Sequence, residues 1–219
     1  MKLLIGNMNY SSWSLRPWLL LRHSGIPFEE DLISFNADDF SARVKQWSPA
    51  GKVPVLVDDE VVVWDSLAIA EYLAEKFPEK ALWPQSIAAR ARARSICAEM
   101  HAGFPDMCSR MPMNCQIEFT TVLFDVKVRQ DIGRVLEIWR DCRAQFGAEG
   151  PFLFGRFSIA DAYYAPVTQR FAAYGVELPP VERRYVETIQ ELPAMQEWLT
   201  AARAENDFHI SDEPYRATP

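Results

Sequence analysis

Short apolar runs alternate with amphipathic segments over the first part of the chain. Leu3-Leu4-Ile5 and Val61-Val62-Val63-Trp64 are typical of strands, whereas the apolar positions after Ser66 recur with the period of about 3.6 residues that indicates a helix. Glycine and proline residues mark the turns between these segments. The pattern predicts the order βαβαββα, with strands at 2–6, 28–34, 53–57 and 61–64 and helices at 15–24, 38–46 and 67–76.

The pattern changes after the segment Leu82-Trp83-Pro84, which is typical of a linker. No later run is typical of a strand, and five amphipathic segments follow, at 87–111, 120–146, 158–174, 181–190 and 194–203. This change of class predicts two domains, a mixed α/β domain over 1–83 and an all-α helical bundle over 84–219.

The composition is that of an ordinary globular protein, since 49% of the 219 residues are hydrophobic and 24% are charged. The formal net charge of -7 argues against nucleic acid or an anionic membrane as the main partner, because both attract clustered Lys and Arg. The sequence contains no run of about 18 apolar residues, so no membrane span is expected. Met1-Lys2 leads directly into the first strand, which leaves no room for a signal peptide.

The four cysteines and three histidines do not follow the spacing of a metal site. The cysteines form no CxxC pair and the histidines no HxxxH pair, so we expect neither a metal site nor a disulfide scaffold. A reducing cytoplasm is the default compartment for such a chain. We expect the cysteines, Cys97, Cys108, Cys115 and Cys142, in the protein core.

Hydroxyl side chains collect where the first predicted strand gives way to the first predicted helix. Tyr10, Ser11, Ser12 and Ser14 lie there, and Pro17 suits only a first helical turn, which places the helix start near Ser14. The N–H groups of a helix start are unpaired and attract anions, and hydroxyls add further donors. The segment therefore suits a thiolate, a carboxylate or a phosphate. Alternatively, the serines serve only as helix caps.

Four short motifs follow one another along the chain. Residues 10–16 read Tyr-Ser-Ser-Trp-Ser-Leu-Arg, residues 52–56 Lys-Val-Pro-Val-Leu, residues 64–69 Trp-Asp-Ser-Leu-Ala-Ile, and residues 157–162 Phe-Ser-Ile-Ala-Asp-Ala. Together they resemble the cytosolic glutathione transferases over nearly the whole chain. The first motif is similar to the Ser-Ser-Cys-Ser-Trp-Arg stretch of the zeta class, the maleylacetoacetate isomerases, with Trp13 in place of its cysteine.

The resemblance implies a fold, a co-substrate and a quaternary state. The fold is an α/β thioredoxin-like N-terminal domain followed by an all-α helical-bundle C-terminal domain. The resemblance implies that glutathione is the co-substrate and that the protein is a homodimer in the cytoplasm. The Val53-Pro54 bond is implied to be cis, which exposes the N–H and C=O of Val53 to the peptide backbone of glutathione. The alternative is a plain proline at a strand edge.

The resemblance also assigns residues to the two carboxylate ends of glutathione. Asp65 and Ser66 open the third predicted helix, where the γ-glutamyl α-carboxylate would bind. The family usually has Glu or Gln in place of Asp65, whose side chain is one methylene shorter, and the alternative role of the pair is a helix cap. Lys52 either approaches the glycyl carboxylate or is solvated.

Ser11 is the expected partner of the glutathione thiol, because by family spacing it lies five residues before Arg16. A helix start lowers the pKa of a thiol from about 8.5 to between about 3.5 and 7.5, and the thiolate is the nucleophile. Ser12 is a second donor or a cap, and Tyr10 is a rival because other classes use a tyrosine hydroxyl nearby. With Trp13 in place of a cysteine, a glutaredoxin-like activity is disfavoured at this turn.

The second-substrate pocket is expected between the domains, lined by the long helix after the linker. Its apolar and sulfur-bearing positions form a stripe that suits a pocket wall, a subunit interface or a bundle core. Arg170 lies roughly where zeta enzymes hold substrate carboxylates, and the alternative is an exposed arginine. Ser158 and Asp161 form a capping box with a structural role. The stripe consists of Cys97, His101, Phe104, Cys108 and Met111.

Three functions fit these features. The leading one is a glutathione transferase that adds the thiolate to small electrophiles. A glutathione-dependent cis–trans isomerase of the maleylacetoacetate type fits the same serine cluster, and an arginine-rich pocket would favour it. The third is a non-catalytic glutathione-transferase-like binding module, against which the intact set of Ser11, Pro54 and Ser66 argues.

Overall fold

The first part of the chain forms a four-stranded sheet. The computed structural model describes residues 1–119, 122–216 and 218. Its strands have the sequence order and the number that the apolar runs predict. They are β1 (Lys2–Ile5), β2 (Glu29–Leu32), β3 (Val55–Asp58) and β4 (Val61–Trp64).

The sheet has the spatial order β2-β1-β3-β4. β1 runs parallel to β2 and antiparallel to β3, with Leu4 opposite Val55, and β3 and β4 form an antiparallel hairpin. The parallel pair requires a crossover, which the first helix provides. The turn between β1 and this helix is therefore at the carboxyl end of a central strand, where α/β proteins commonly bind ligands.

Three helices accompany the sheet: α1 (Ser12–His23), α2 (Phe40–Lys45) and α3 (Ser66–Lys76). α1 begins two residues before the predicted start near Ser14, because Ser11 caps it by accepting a hydrogen bond from the Ser14 N–H. Pro17 consequently lies inside α1 rather than in its first turn.

Six α-helices follow α3, and no residue after Trp64 in the described part of the chain joins the sheet. Two of these helices, α7 (Ile159–Ala173) and α9 (Pro193–Ala204), pack against α1. No helix in the described ranges combines the length and apolar character needed to cross a membrane. The six helices are α4 (Ile87–Ala102), α5 (Pro105–Arg110), α6 (Val126–Phe146), α7 (Ile159–Ala173), α8 (Pro180–Gln190) and α9 (Pro193–Ala204).

The prediction of one long helix over 87–111 is wrong. Helix α4 ends at Ala102, Phe104 takes the left-handed conformation with φ 60°, and α5 begins at Pro105. Proline cannot continue a helix because it lacks an N–H, and it restricts the preceding residue to non-helical conformations. The predicted stripe therefore does not run along a single helix face.

The prediction of a helix over 120–146 is right from Val126 onward, and its first two residues, Thr120 and Thr121, lie outside the described residues. The predicted capping box is present at the start of α7, where Asp161 accepts hydrogen bonds from the N–H and hydroxyl of Ser158. Asp161 is fully buried, and burial raises the pKa of its carboxyl to about 6 against the lowering effect of these donors.

One hydrophobic cluster runs through both halves of the fold. It contains Leu3 and Ile5 of the sheet, and the Trp18 ring of α1 meets the Trp198 ring of α9 edge-on at 5.1 Å between centroids. The predicted domain boundary near Pro84 stays a prediction, because the linker separates elements that share a core.

Candidate functional site at the start of α1

A cavity of about 370 Å³ opens beside the first turn of α1. That volume suits a small-molecule ligand. Its walls come from the β1–α1 turn, the loop before β3, α5 and the loop after it, α7, and the C-terminal segment. Seven residues predicted for the site line it: Tyr10, Ser11, Ser12, Lys52, Val53, Cys108 and Arg170.

The Ser11 hydroxyl is used within the protein. It donates to Ser14 Oγ at 2.7 Å and accepts from the Ser14 N–H at 3.3 Å. Ser14 Oγ in turn accepts from the Gly6 N–H at 3.1 Å, which ties the helix start to the end of β1. Ser11 therefore lines the cavity as predicted, but its one hydroxyl proton is already donated.

The Ser12 hydroxyl has the opposite arrangement. Ser12 Oγ accepts from Arg170 Nη2 at 3.2 Å, and among the described residues its proton has no acceptor. Ser12 is the first residue of α1, so it also lies at the positive end of the helix dipole. Of the two serines, Ser12 is thus the one that can donate to a ligand atom in the cavity.

Tyr10 is buried and its hydroxyl donates to Glu213 Oε1 at 2.9 Å. Burial, followed by the Glu213 carboxylate, raises the pKa of Tyr10. Burial also favours a higher pKa for Glu213, but hydrogen bonds from Arg216 and Tyr10 outweigh it and lower that pKa. The Tyr10 hydroxyl therefore links the turn to the C-terminal segment.

The C-terminal segment also holds the backbone of the β1–α1 turn. The two carboxylate oxygens of Glu205 accept from the N–H groups of Met8 at 2.7 Å and Asn9 at 3.0 Å. Asp207 accepts from Asn7 Nδ2 at 2.8 Å. Because these donors are fixed by residues about 200 positions away, the helix start is held in one geometry.

Two buried guanidinium groups stand at or near the cavity. Arg170 is 5% exposed, and its Nε donates to the Met111 carbonyl at 2.7 Å, whereas Nη1 has no partner within the described chain. Arg16 lies between the rings of Trp13 and Tyr163, at 4.2 and 4.5 Å from their centroids. Burial lowers the pKa of Arg16. These two groups place positive charge at and beside the cavity.

The loop before β3 offers a free backbone edge. The Val53-Pro54 bond is cis, as the resemblance implies. Val53 lines the cavity, and neither its N–H nor its C=O bonds to another described residue, because the β3 ladder begins at Val55. Lys52 is exposed at the same rim, whereas Pro54 is buried outside the cavity lining.

Asp65 and Ser66 lie at the start of α3 but do not line the cavity. Asp65 caps the helix by accepting from the Leu67 N–H at 2.8 Å, and its other oxygen lies 3.3 Å from His101 Nε2. Ser66 is buried, and its hydroxyl lies 2.9 Å from that of Tyr163. The two residues hold the positions that the motif predicts, and both side chains already have partners.

The predicted stripe contributes one residue to the cavity. Cys108 lines it, whereas Phe104 and Met111 are buried in the core. His101 lies beside Asp65, and its ring meets the ring of Trp13 edge-on at 5.1 Å between centroids. Of the segment predicted as one long helix, the α5 part contributes Cys108 to this cavity, and the lining of a second-substrate pocket by that segment stays a prediction.

Sequence reasoning missed seven residues of the cavity wall. Gly51 adjoins a predicted residue, and Trp13 was noted only as a replacement for cysteine. Phe40 belongs to α2, and the other four lie in loops or in the C-terminal segment, where no periodic pattern marks them. The missed residues are Trp13, Phe35, Phe40, Gly51, Pro112, Met113 and Asp212.

Asp212 is the one acidic side chain among these cavity-lining residues. Burial raises the pKa of its carboxyl, and electrostatic interactions with His209 and Arg170 oppose that effect. No group of acidic, cysteine and histidine side chains suited to hold a metal ion occurs in the described part of the chain.

A second cavity, of about 490 Å³, lies at the linker between Trp83 and Phe157. Its wall includes Arg156 and Glu149, but none of the hydroxyl groups of the α1 start and no open strand edge. Of these two cavities, the α1 cavity joins a helix N-terminus, free donors and a free backbone edge, so we take it as the candidate active site.

Comparisons of the sequence place the chain within a family. The N-terminal domain model of glutathione S-transferases matches residues 10–76, and the C-terminal domain model matches residues 85–201. Glutathione S-transferase 1 of Dianthus caryophyllus is 37% identical over 91 residues, and a probable maleylacetoacetate isomerase of Caenorhabditis elegans is 35% identical over 92 residues. These two alignments cover 41% and 42% of this chain and equal shares of the two relatives. A stringent starvation protein A homolog of Haemophilus ducreyi is 24% identical, over 73% of this chain and 70% of the relative.

Solved structures share the whole fold. A glutathione transferase homolog from Burkholderia, with bound glutathione, superposes with a TM-score of 0.71 at 24% identity, covering 93% of this chain and 98% of that one. The holo maleyl pyruvate isomerase, a bacterial zeta-class protein, gives a TM-score of 0.71 at 21% identity, covering 94% and 100%. The predicted fold class is confirmed, and the two domain models identify the chain as a member of the glutathione S-transferase family.

Proposed function

We propose that this protein is an enzyme that binds glutathione in the α1 cavity, ionises its thiol and directs the thiolate at a small electrophile. The observation that carries the proposal is the juxtaposition, in one cavity, of the α1 start with the open backbone edge of Val53. The relatives named glutathione S-transferase and the related structures with bound glutathione support the same reading.

The free backbone edge suits the cysteinyl unit of glutathione. The N–H and C=O of Val53 pair with a peptide backbone as an added strand would. Lys52 at the rim offers a cation to the glycyl carboxylate, and the start of α3 at Ser66 offers N–H groups to the γ-glutamyl α-carboxylate. Asp65 serves this end as the cap that holds α3, because its carboxylate already accepts from Leu67.

The thiol then lies against the first turn of α1. We assign its hydroxyl donor to Ser12 rather than Ser11, because Ser11 donates to Ser14 whereas the Ser12 proton is free. Arg170 donates to Ser12 Oγ, which polarises that hydroxyl and strengthens its bond to a thiolate. A thiolate held in this way is the species that attacks an electrophile.

Arg170 favours a second candidate function. Arg170 lines the cavity, and its buried Nη1 has no partner within the described chain, so its positive charge suits the carboxylate of an acidic electrophile. Relatives named maleylacetoacetate isomerase and maleyl pyruvate isomerase act, by their names, on such acids. In that reaction the thiolate adds to the substrate, the bond rotates, and glutathione leaves unchanged.

The test is a pair of assays on the purified protein. Calorimetry with glutathione is expected to show binding, and conjugation of a neutral electrophile is expected to follow. Cis–trans isomerisation of an unsaturated dicarboxylic acid without loss of glutathione would favour the isomerase. Glutathione binding without turnover of either the neutral electrophile or the unsaturated dicarboxylic acid would contradict both enzymatic functions and favour a binding module.

Two further assignments accompany the function. We propose a cytoplasmic protein, because its four cysteines are free thiols, as is usual in a reducing compartment. We also propose a homodimer, with the edge strand β4 at the interface, because Val61 and Trp64 are 44% and 43% exposed there. Light scattering of the wild type and of Trp64→Lys tests the dimer, and an unchanged mass would exclude Trp64 from the interface.

A further inference from the structure

One of the four cysteines differs from the rest in its surroundings. Cys97, Cys115 and Cys142 are buried, whereas Cys108 is partly exposed. Burial raises the pKa of Cys115 to about 12, that of Cys142 to about 11, and that of Cys97 well above its ordinary value. These three thiols stay protonated at neutral pH, so Cys108 is the thiol available for chemistry.

Cys108 belongs to the wall of the α1 cavity, which it shares with Ser12 and Arg170. It reaches the cavity because the helical chain breaks at Phe104 and α5 starts anew at Pro105. The first turn of α1 carries Trp13 rather than a cysteine, so the thiol of the cavity wall comes from α5 instead.

Two buried guanidinium groups place positive charge near this thiol. Arg170 is 95% buried, lines the cavity and keeps Nη1 free within the described chain. The buried Arg16 guanidinium also leaves Nε and Nη1 free, and it interacts electrostatically with Cys108. Such groups stabilise the negative charge that is shared among three sulfur atoms during thiol–disulfide exchange.

We propose that Cys108 exchanges with glutathione disulfide and carries a glutathionyl group inside the cavity. The Cys108 thiolate, having lost its proton to water, attacks one sulfur of the disulfide. A bond forms between the two sulfurs as the original sulfur–sulfur bond breaks, and one glutathione leaves as a thiolate that takes up a proton. Reduced glutathione reverses the step by attacking the attached glutathionyl sulfur, which regenerates the disulfide and the Cys108 thiolate.

This inference rests on the proposed function, because the disulfide reaches Cys108 through the glutathione site. Its consequence is a redox-dependent block. The attached glutathionyl group fills space that an electrophile needs beside Ser12, so an oxidised glutathione pool switches conjugation off and a reduced pool restores it.

The experiment follows the mass of the full-length protein during incubation with glutathione disulfide. We expect one added glutathionyl group per chain, mapped to Cys108 and absent in Cys108→Ser. The reaction is expected to be at least about tenfold faster than with hydroxyethyl disulfide, since binding concentrates the reactant. S-methylglutathione, which binds but cannot exchange, is expected to slow it.

A matched control moves the thiol by one position on the same helix. Ser109 is exposed and outside the cavity lining, so the double variant Cys108→Ser, Ser109→Cys presents a thiol to solvent. This variant is expected to react at similar rates with both disulfides and to gain no protection from S-methylglutathione.

The outcomes separate the two proposals. No adduct on Cys108, while calorimetry shows that S-methylglutathione binds, would overturn the inference and leave the proposed function intact. Absence of S-methylglutathione binding would overturn both. An adduct on Cys108 that forms equally fast with either disulfide and is not slowed by S-methylglutathione would show an ordinary surface thiol and would also overturn the inference.

Discussion

Replacement of Ser12 by alanine tests the assignment of the thiol donor. The structure separates two neighbouring hydroxyls, since Ser11 donates to Ser14 Oγ at 2.7 Å whereas Ser12 accepts from Arg170 at 3.2 Å and keeps its own proton free. Ser12→Ala removes the free donor and leaves the cap of α1 in place.

The size of the effect follows from the charge on the acceptor. A hydrogen bond to a charged group contributes about 1.5–3 kcal/mol. Because one pKa unit corresponds to about 1.36 kcal/mol, losing the Ser12 donor raises the pKa of the bound thiol by about one to two units. A bound thiol that titrates near pH 6.5 would then titrate near pH 8, which lowers turnover at neutral pH roughly tenfold. Turnover recovers at higher pH, where the thiol ionises without help.

The assay is a pH series of thiolate absorbance and conjugation rate for wild type, Ser12→Ala, Ser11→Ala and Tyr10→Phe. Ser11→Ala is expected to cost about 0.5–2 kcal/mol of folding stability through the lost cap, with little change in the pKa of the bound thiol. Tyr10→Phe is expected to leave that pKa unaltered, because Glu213 already holds the Tyr10 hydroxyl. A pKa shift in Ser11→Ala with none in Ser12→Ala would refute the assignment and return the role to Ser11.

Three further substitutions address binding, specificity and folding. Ser66→Ala is expected to change glutathione binding in calorimetry little, because the Ser66 hydroxyl is buried against that of Tyr163 and the variant keeps the N–H groups of the α3 start; a loss of about 1.5–3 kcal/mol would show that the hydroxyl itself binds the ligand carboxylate. Arg170→Met is expected to lower kcat/KM for carboxylate-bearing electrophiles well beyond the loss for neutral ones, because the guanidinium charge at the cavity wall attracts the carboxylate, and equal losses would mean that Arg170 acts only through Ser12. Asp161→Ala is expected to lower the free energy of unfolding in urea by at least about 3 kcal/mol, because the buried donors of Leu153, Ser158 and Tyr185 lose their acceptor, and a loss below 1 kcal/mol would contradict that role.

Local patterns were enough to predict the architecture. Alternating and continuous apolar runs identify the four strands, and glycine and proline identify the turns between them. The capping box joins two residues three positions apart, Ser158 and Asp161, so the sequence displays it directly. The cis bond before Pro54 was predicted from the family resemblance, because no local sequence pattern requires it.

The wrong prediction of a long helix over 87–111 has a local cause. Apolar positions continue with helical spacing across Gly103 and Pro105, but the missing N–H of proline ends α4 and the chain restarts as α5. The hydrophobic period alone does not predict the break between α4 and α5. The position of Cys108 at the cavity depends on that break.

The site residues were predictable only where they belong to short motifs of neighbouring residues. Short motifs next to strands contain Ser11, Ser12, Lys52 and Val53. The sequence therefore places these residues at the end of the sheet where β1 ends and β3 begins. The bond from Arg170 to Ser12 and the position of Asp212 arise from contacts between distant parts of the chain. Such contacts decide which serine keeps a free proton, and a single sequence does not display them.

A crystal structure with glutathione bound tests the central claim most directly. The account predicts that the ligand backbone pairs with the N–H and C=O of Val53 and that the sulfur lies within hydrogen-bond distance of Ser12 Oγ. A sulfur bonded to Tyr10 or Ser11 instead, or glutathione seated in the cavity beside Trp83, would contradict it.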